Sequence, residues 1–187
     1  MNSLLDLPPQ QVARLLIGAT LTYDGVGGVV VETEAYDVGD PASHSYAGPT
    51  ARNAPMFGPP GRAYIYRSYG LHWCLNLVCG PAPGGAVLFR ALEPTVGVNQ
   101  MIARRGLMET RRLAAGPGRL CQALGLGAEQ NRAPMTQPPF RLALAANPPV
   151  VVTGQRIGIT KAMDRPWRYG LAGSRYLSRP FKSPFDA

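Results

Sequence analysis

Polar and apolar residues alternate in "VVVETEAYD", residues 29–37, and this period of two predicts a strand. Alternation puts Glu32, Glu34 and Tyr36 on one face and Val31, Thr33 and Ala35 on the other. The preceding "ATLTYDGVGG" adds a second strand and a Gly-rich turn. Upstream, "LPPQQVARLLIGAT" has prolines where a helix start tolerates them and Gly18 where a helix can stop. Val12, Leu15 and Leu16 share one face of that helix. "AYIYRSYGLHWCLNLVC" predicts a β-hairpin turning near Tyr69-Gly70. Its first strand sets Tyr64 and Tyr66 on one face. Its second sets Leu71, Trp73, Leu75 and Leu77 against His72, Cys74 and Asn76. "GGAVLFRALEP" is a buried strand with one charge, Arg90. "TVGVNQMIARRGLM" and "PGRLCQALGLG" are helical. "PPVVVTGQRIGIT" is a strand, or a hairpin turning at Thr153-Gly154. "RPWRYGLAGSRYLSRP" mixes Arg with aromatics and is expected to be irregular. Residues 38–62 form a long Gly/Pro/Ser-rich connection, the kind that carries function or lacks order. With no repeat and no linker, the expectation is one α+β domain over residues 1–187, built on a largely antiparallel sheet.

Charge changes the picture. Residues 1–103 carry 5 basic and 7 acidic side chains, and residues 104–187 carry 14 and 4. Seventeen of the 19 basic residues are arginine, which suits bidentate phosphate contacts. A basic half favours a nucleic-acid partner, with a solvated face as the plain alternative. No apolar run approaches the roughly 20 residues of a membrane span, and the first residues lack the pattern of a signal peptide. Three cysteines without CxxC spacing fit a reduced, cytoplasmic setting.

Two histidines, His44 and His72, offer no zinc-like spacing, and no phosphate-loop, dinucleotide or nucleophile-elbow motif occurs. Cys74, beside Trp73, is read as packing filler. The carboxylates are left. Glu32 and Glu34 either face solvent on an edge strand or line a cleft, where one could serve as general base on a water. Arg90 is the buried charge that could pair with them. Tyr69, at a turn tip, would be exposed, and an exposed aromatic on a basic protein can wedge between bases.

Together, "ETEAY", the His of "ASHS", "ARNAPMF", "YIYRSYGLHWCLN", "LFRALEP", "GPGRLCQALG", "RIGI" and "GSRYLSR" resemble the alkyladenine (3-methyladenine) DNA glycosylase family from about residue 10 to 180. The resemblance implies a curved sheet with surrounding helices and a protruding hairpin that inserts into DNA. It implies flipping of a damaged purine and hydrolysis of its N-glycosidic bond without metal or cofactor. Glu34 matches the general base, and Arg90 and the Ile157 carbonyl match the groups that hold the water. Tyr36, His44 and Tyr66 match the walls around the flipped base. The main chain at Ala42 and His44 matches the part that reads the base edge. Asn76 matches a pocket-floor residue that crowds a normal guanine. Tyr69 matches the residue that fills the gap in the duplex. Gly170 and Arg175 stand where many members carry an aromatic and a proline.

The implied partner is double-stranded DNA with damaged purines, approached from the minor groove. A monomer without an obligate protein partner, in the nucleoid-bearing cytoplasm, is expected. Scarce lysine predicts no lyase step. The alternatives are a non-catalytic damage binder on the same fold and a sugar glycosidase using Glu32 and Glu34 as an acid/base pair.

Overall fold

The computed structural model describes residues 2–181. Its hub is strand β2 (Val26–Tyr36), which continues from β1 (Thr20–Tyr23) through the turn at Asp24-Gly25. On one edge β2 pairs along its length with β5 (Ala86–Val96). On the other it pairs first with β1 and then, over Glu32–Glu34, with β8 (Arg168–Leu171). Beyond β5 lie β4 (His72–Val78) and β3 (Ala63–Ser68); beyond β1 lies β6 (Phe140–Ala143). Strand β7 (Val151–Gly154) pairs with β8. All these pairings are antiparallel, and the eight strands make one curved sheet.

Short helices cover one face. They are α1 (Asn2–Leu5), α2 (Pro9–Leu15), α3 (Val98–Arg105) and α4 (Pro117–Leu124). The pleat assigns sides cleanly. Ile65, Leu75, Leu77, Val87, Phe89 and Ala35 enter the core beneath the helices. Their neighbours Tyr64, Tyr66, Cys74, Asn76, Leu88 and Arg90 line a cavity on the opposite face. Cys74 is therefore a wall residue and more than filler.

The pairing of β2 with β5 contains three register shifts, one near its start at Gly27/Gly28 and two on either side of Glu32. Val30 faces Leu92, Glu32 faces Ala91 and Thr33 faces Phe89. Around Glu32, Val31 on one strand and Arg90 on the other are the unmatched residues, each a β-bulge. Strict alternation fails here: Val30, not Val31, joins Ala35 in the main core.

Several expectations need correction. Leu15 does not share the buried face of α2. It is exposed, and Val12, Ala13, Leu16 and Ile17 are the residues that bury. Thr153-Gly154 is no turn, because β7 finds its partner in β8. The tail is not wholly irregular, since β8 lies within it. Its alternation is hidden because Arg168 is one of its inward residues, buried by ion pairing. Strand β6 went unnoticed altogether, being four residues with only Phe140 and Leu142 facing inward.

Candidate active site

The edge-strand alternative for the carboxylates fails on topology. Glu32 has Ala91 on one side and Gly170 on the other, and Glu34 has Leu88 and Arg168. Both side chains are fully buried. Such burial is tolerable only with charge partners and hydrogen bonds, and the two residues find different ones.

Glu34 sits at the cavity floor. Its Oε1 accepts the Ile157 backbone N–H at 2.7 Å and faces Arg90 Nη1 at 3.2 Å. Its Oε2 accepts the Tyr36 hydroxyl at 2.8 Å. Alternation predicts that i and i+2 share a face, and the tyrosine uses this to orient the carboxylate. Burial and the adjoining Glu34 charge push the Tyr36 phenol well above its ordinary pKa, so it stays a donor. Two hydrogen bonds and one ion pair leave the carboxylate room to accept a further hydrogen bond.

Glu32 is fully engaged. Its Oε1 accepts Arg90 Nε at 2.9 Å, Arg168 Nε at 2.8 Å and the Ser178 hydroxyl at 2.8 Å. Its Oε2 accepts the Ser178 N–H at 2.5 Å. Arg90 thus bridges the two carboxylates. Burial lowers its pKa, but Glu34 and Glu32 outweigh that and hold the guanidinium above its usual value. The bulge at Arg90 re-aims this side chain toward the cavity floor.

The cavity holds about 520 Å³, within the range of small-molecule sites. All the sequence-predicted site residues line it except Glu34, whose carboxylate lies just beneath through Tyr36, Arg90 and Ile157. One wall is a stack. Tyr64 and Tyr66 lie 5.4 Å apart between ring centres, and His44 meets Tyr66 edge-on at 4.5 Å. His44 Nδ1 shares a 2.9 Å hydrogen bond with the Tyr64 hydroxyl. Burial and the nearby Arg52 guanidinium lower the His44 pKa, which favours neutral imidazole. Burial raises the Tyr64 phenol to about 12. Asn76 is buried and donates to the Tyr64 carbonyl at 2.9 Å, which fixes its amide.

Residues that went unnoticed in the sequence brace the opposite wall. Asp40, in the Gly/Pro-rich connection, pairs with Arg156, and both are fully buried. Asp40 also accepts the Ala42 N–H at 3.1 Å, which fixes the main chain beside His44. Arg156 stacks on Tyr36 at 4.7 Å and Trp167 at 5.2 Å, and donates to the Ala35 carbonyl at 3.0 Å. Arg156 and Arg168 therefore leave the pool of surface cations that the basic second half suggested. The weak signal for Arg168 was an arginine between two aromatic residues, Trp167 and Tyr169; Arg156, between Gln155 and Ile157, carried none.

At the other extreme stands Tyr69. The turn closes with Leu71 N–H on the Ser68 carbonyl at 2.9 Å, and both Tyr69 (φ 49°) and Gly70 (φ 68°) are left-handed. That handedness suits the twist of a tight hairpin, and glycine adopts it freely. A tyrosine there is strained by roughly 1 kcal/mol. Tyr69 is 87% exposed at the rim of the cavity.

The description "Methylpurine-DNA glycosylase (MPG)" matches residues 3–175 of this chain. The chain belongs to the methylpurine-DNA glycosylase family. Its relatives include a Nitrosospira multiformis protein, 63% identical over 92% of this chain and 90% of its own length. Others are a Rhodopseudomonas palustris protein, 60% identical over 92% and 86%, and one from Rhizobium meliloti, 58% identical over 91% of both. Each carries the name "Putative 3-methyladenine DNA glycosylase".

In this family member the described residues contain no group of three or more His, Cys, Asp or Glu able to hold a metal. None of the described helices is long and apolar enough to cross a membrane.

Proposed function

We propose that this methylpurine-DNA glycosylase family member flips alkylated purines, of the 3-methyladenine type, out of duplex DNA and hydrolyses their N-glycosidic bond. It acts as a monofunctional base-excision repair enzyme that leaves an abasic site. The observation that carries the reading is Glu34: a buried carboxylate at the floor of an aromatic-walled cavity, oriented by two hydrogen-bond donors and the Arg90 guanidinium.

In the proposed reaction Tyr36, His44 and Tyr66 stack around the flipped base, and the main chain at Ala42 and His44 reads its edge. The bond from C1′ to the base nitrogen breaks and its electron pair leaves with the purine. Positive charge builds on the sugar, and the Glu34 carboxylate stabilises it electrostatically. A water held by Glu34, Arg90 and the Ile157 carbonyl adds to C1′, and Glu34 takes its proton. A cationic alkylated purine departs neutral and needs no acid. A neutral lesion needs a proton, and His44, with its lowered pKa, is a poor source at neutral pH. Cationic lesions are therefore the preferred class. Asn76, locked by its bond to Tyr64, crowds the 2-amino group of guanine.

Tyr69 enters the minor groove and fills the gap left by the flipped nucleotide, on a hairpin that inserts into DNA. Exposed arginines of the second half contact phosphates. Residues 1–187 act as one glycosylase domain, a monomer in the cytoplasm. The glycosidase alternative finds no support in Glu32, whose oxygens already accept four hydrogen bonds.

The test is Glu34→Gln on a duplex with one 3-methyladenine-type lesion. Single-turnover base release should fall by roughly two to four orders of magnitude, with lesion binding retained. Undiminished release sinks the reading. A wild-type protein that binds the lesion but frees no base would be the damage binder instead.

A further inference from the structure

The family match ends at residue 175, and the residues that follow pack against β7 and β8. Residues 177–181 form a strap over β7 and β8. Phe181 seats this strap in a slot that two glycines keep open. A Cβ on Gly170 would lie 2.3 Å from the Phe181 ring, and one on Gly154 would lie 2.9 Å from it. Phe181 thus fills the space above Gly170. The face of the ring lies 3.9 Å from the Arg168 guanidinium. Arg168 in turn donates to the strap carbonyls of Arg179 at 2.5 Å and Pro180 at 3.4 Å.

The strap delivers Ser178 to the buried charges. Its N–H and hydroxyl both go to Glu32, and its oxygen accepts Arg90 Nη2 at 3.3 Å. Arg90 is therefore fixed at Nε by Glu32 and at Nη2 by Ser178, which leaves Nη1 for Glu34. Two guanidinium and two carboxylate groups share this buried site. Arg168 lets Glu32 be neutralised without drawing Arg90 away from Glu34.

We propose that Ser178, held by the Phe181 strap, is a positioning residue that orients Arg90 against the Glu34 carboxylate. This rests on Glu34 being the base. Without the serine hydroxyl the guanidinium gains freedom to turn toward Glu32. Glu34 then keeps a weaker cation partner, and the carboxylate is held less firmly for the reaction.

Full-length Ser178→Ala, Ser178→Thr and Phe181→Ala proteins would be compared with wild type in single-turnover release from a 3-methyladenine-type duplex and in binding to it. Ser178→Ala and Phe181→Ala should slow release roughly ten- to a hundredfold, with lesion-duplex affinity unchanged. Ser178→Thr, which keeps the hydroxyl, should restore the rate. Wild-type behaviour of Ser178→Ala overturns the proposal. So does a slower rate that Ser178→Thr does not rescue, which is the signature of a merely structural role. If Glu34→Gln itself releases base normally, the base assignment has failed and not the strap.

Discussion

The floor of the cavity and the tip of the hairpin are built on opposite principles. At the floor, Glu32, Glu34, Arg90 and Arg168 are buried, and each bonds at least two groups. At the tip, Tyr69 stands in water in a left-handed conformation that glycine would adopt at less cost. The floor is organised before anything binds, as electrostatic catalysis requires. The tip holds its surface in reserve for a partner. Stability is invested in the first and given up in the second, a pattern expected where strain serves function.

Breaking the floor should cost the most. Glu32→Ala leaves two buried guanidinium groups with Glu34 alone, and should destabilise the fold by about 3–5 kcal/mol in urea titrations. A loss under about 1 kcal/mol would mean that water already screens the cluster, and the contrast with the tip would collapse. Tyr69→Gly sharpens the comparison because two readouts move in opposite directions. Folding stability should rise by up to about 1 kcal/mol as the left-handed strain is relieved. Lesion-duplex affinity should weaken by about 1–3 kcal/mol as the stacking ring is lost. If both fall, the tyrosine is packing rather than waiting.

The smallest effect concerns His44, on the wall between the two regions. Its ring resonances, assigned with His44→Gln, should titrate below the ordinary imidazole value of about 6.5, because burial and Arg52 disfavour the charged form. The unfolded chain takes up its proton first. This contribution to stability is therefore complete above about pH 6.5 and is lost as pH falls through the folded midpoint. A midpoint at or above 6.5 would show the wall to be solvated like the tip.

Local pattern made some of this legible. The alternation of residues 29–36 exposed the polar stripe, and Tyr69-Gly70 announced the turn. Arg90 stood out as the one charge in an apolar strand. What escaped is non-local. Arg156 meets Asp40 across 116 residues, and Arg168 and Ser178 reach Glu32 across 136 and 146. No short window contains such pairs, and each arginine alone looks like surface. Strand β8 was missed for the same reason: its inward arginine is apolar only in the company of Glu32. The choice between edge and cleft for Glu34 likewise needed the strands that flank β2, which come from distant parts of the chain.

The paired bulges at Val31 and Arg90 settle a matter of phase. Near its start, β2 sends even-numbered residues, Val26 and Val30, into the core; near its end it sends Ala35. β5 makes the same exchange between Leu92 and Phe89. Each strand slips by one residue, and because both slip, Thr33 faces Phe89 in the same frame in which Val30 faced Leu92. An uninterrupted pleat would have placed Glu32, Glu34 and Tyr36 on the side of Val26 and Val30, among the apolar residues under the helices. The cavity exists on its side of the sheet because two neighbouring strands change step together, and neither extra residue can be given up without the other.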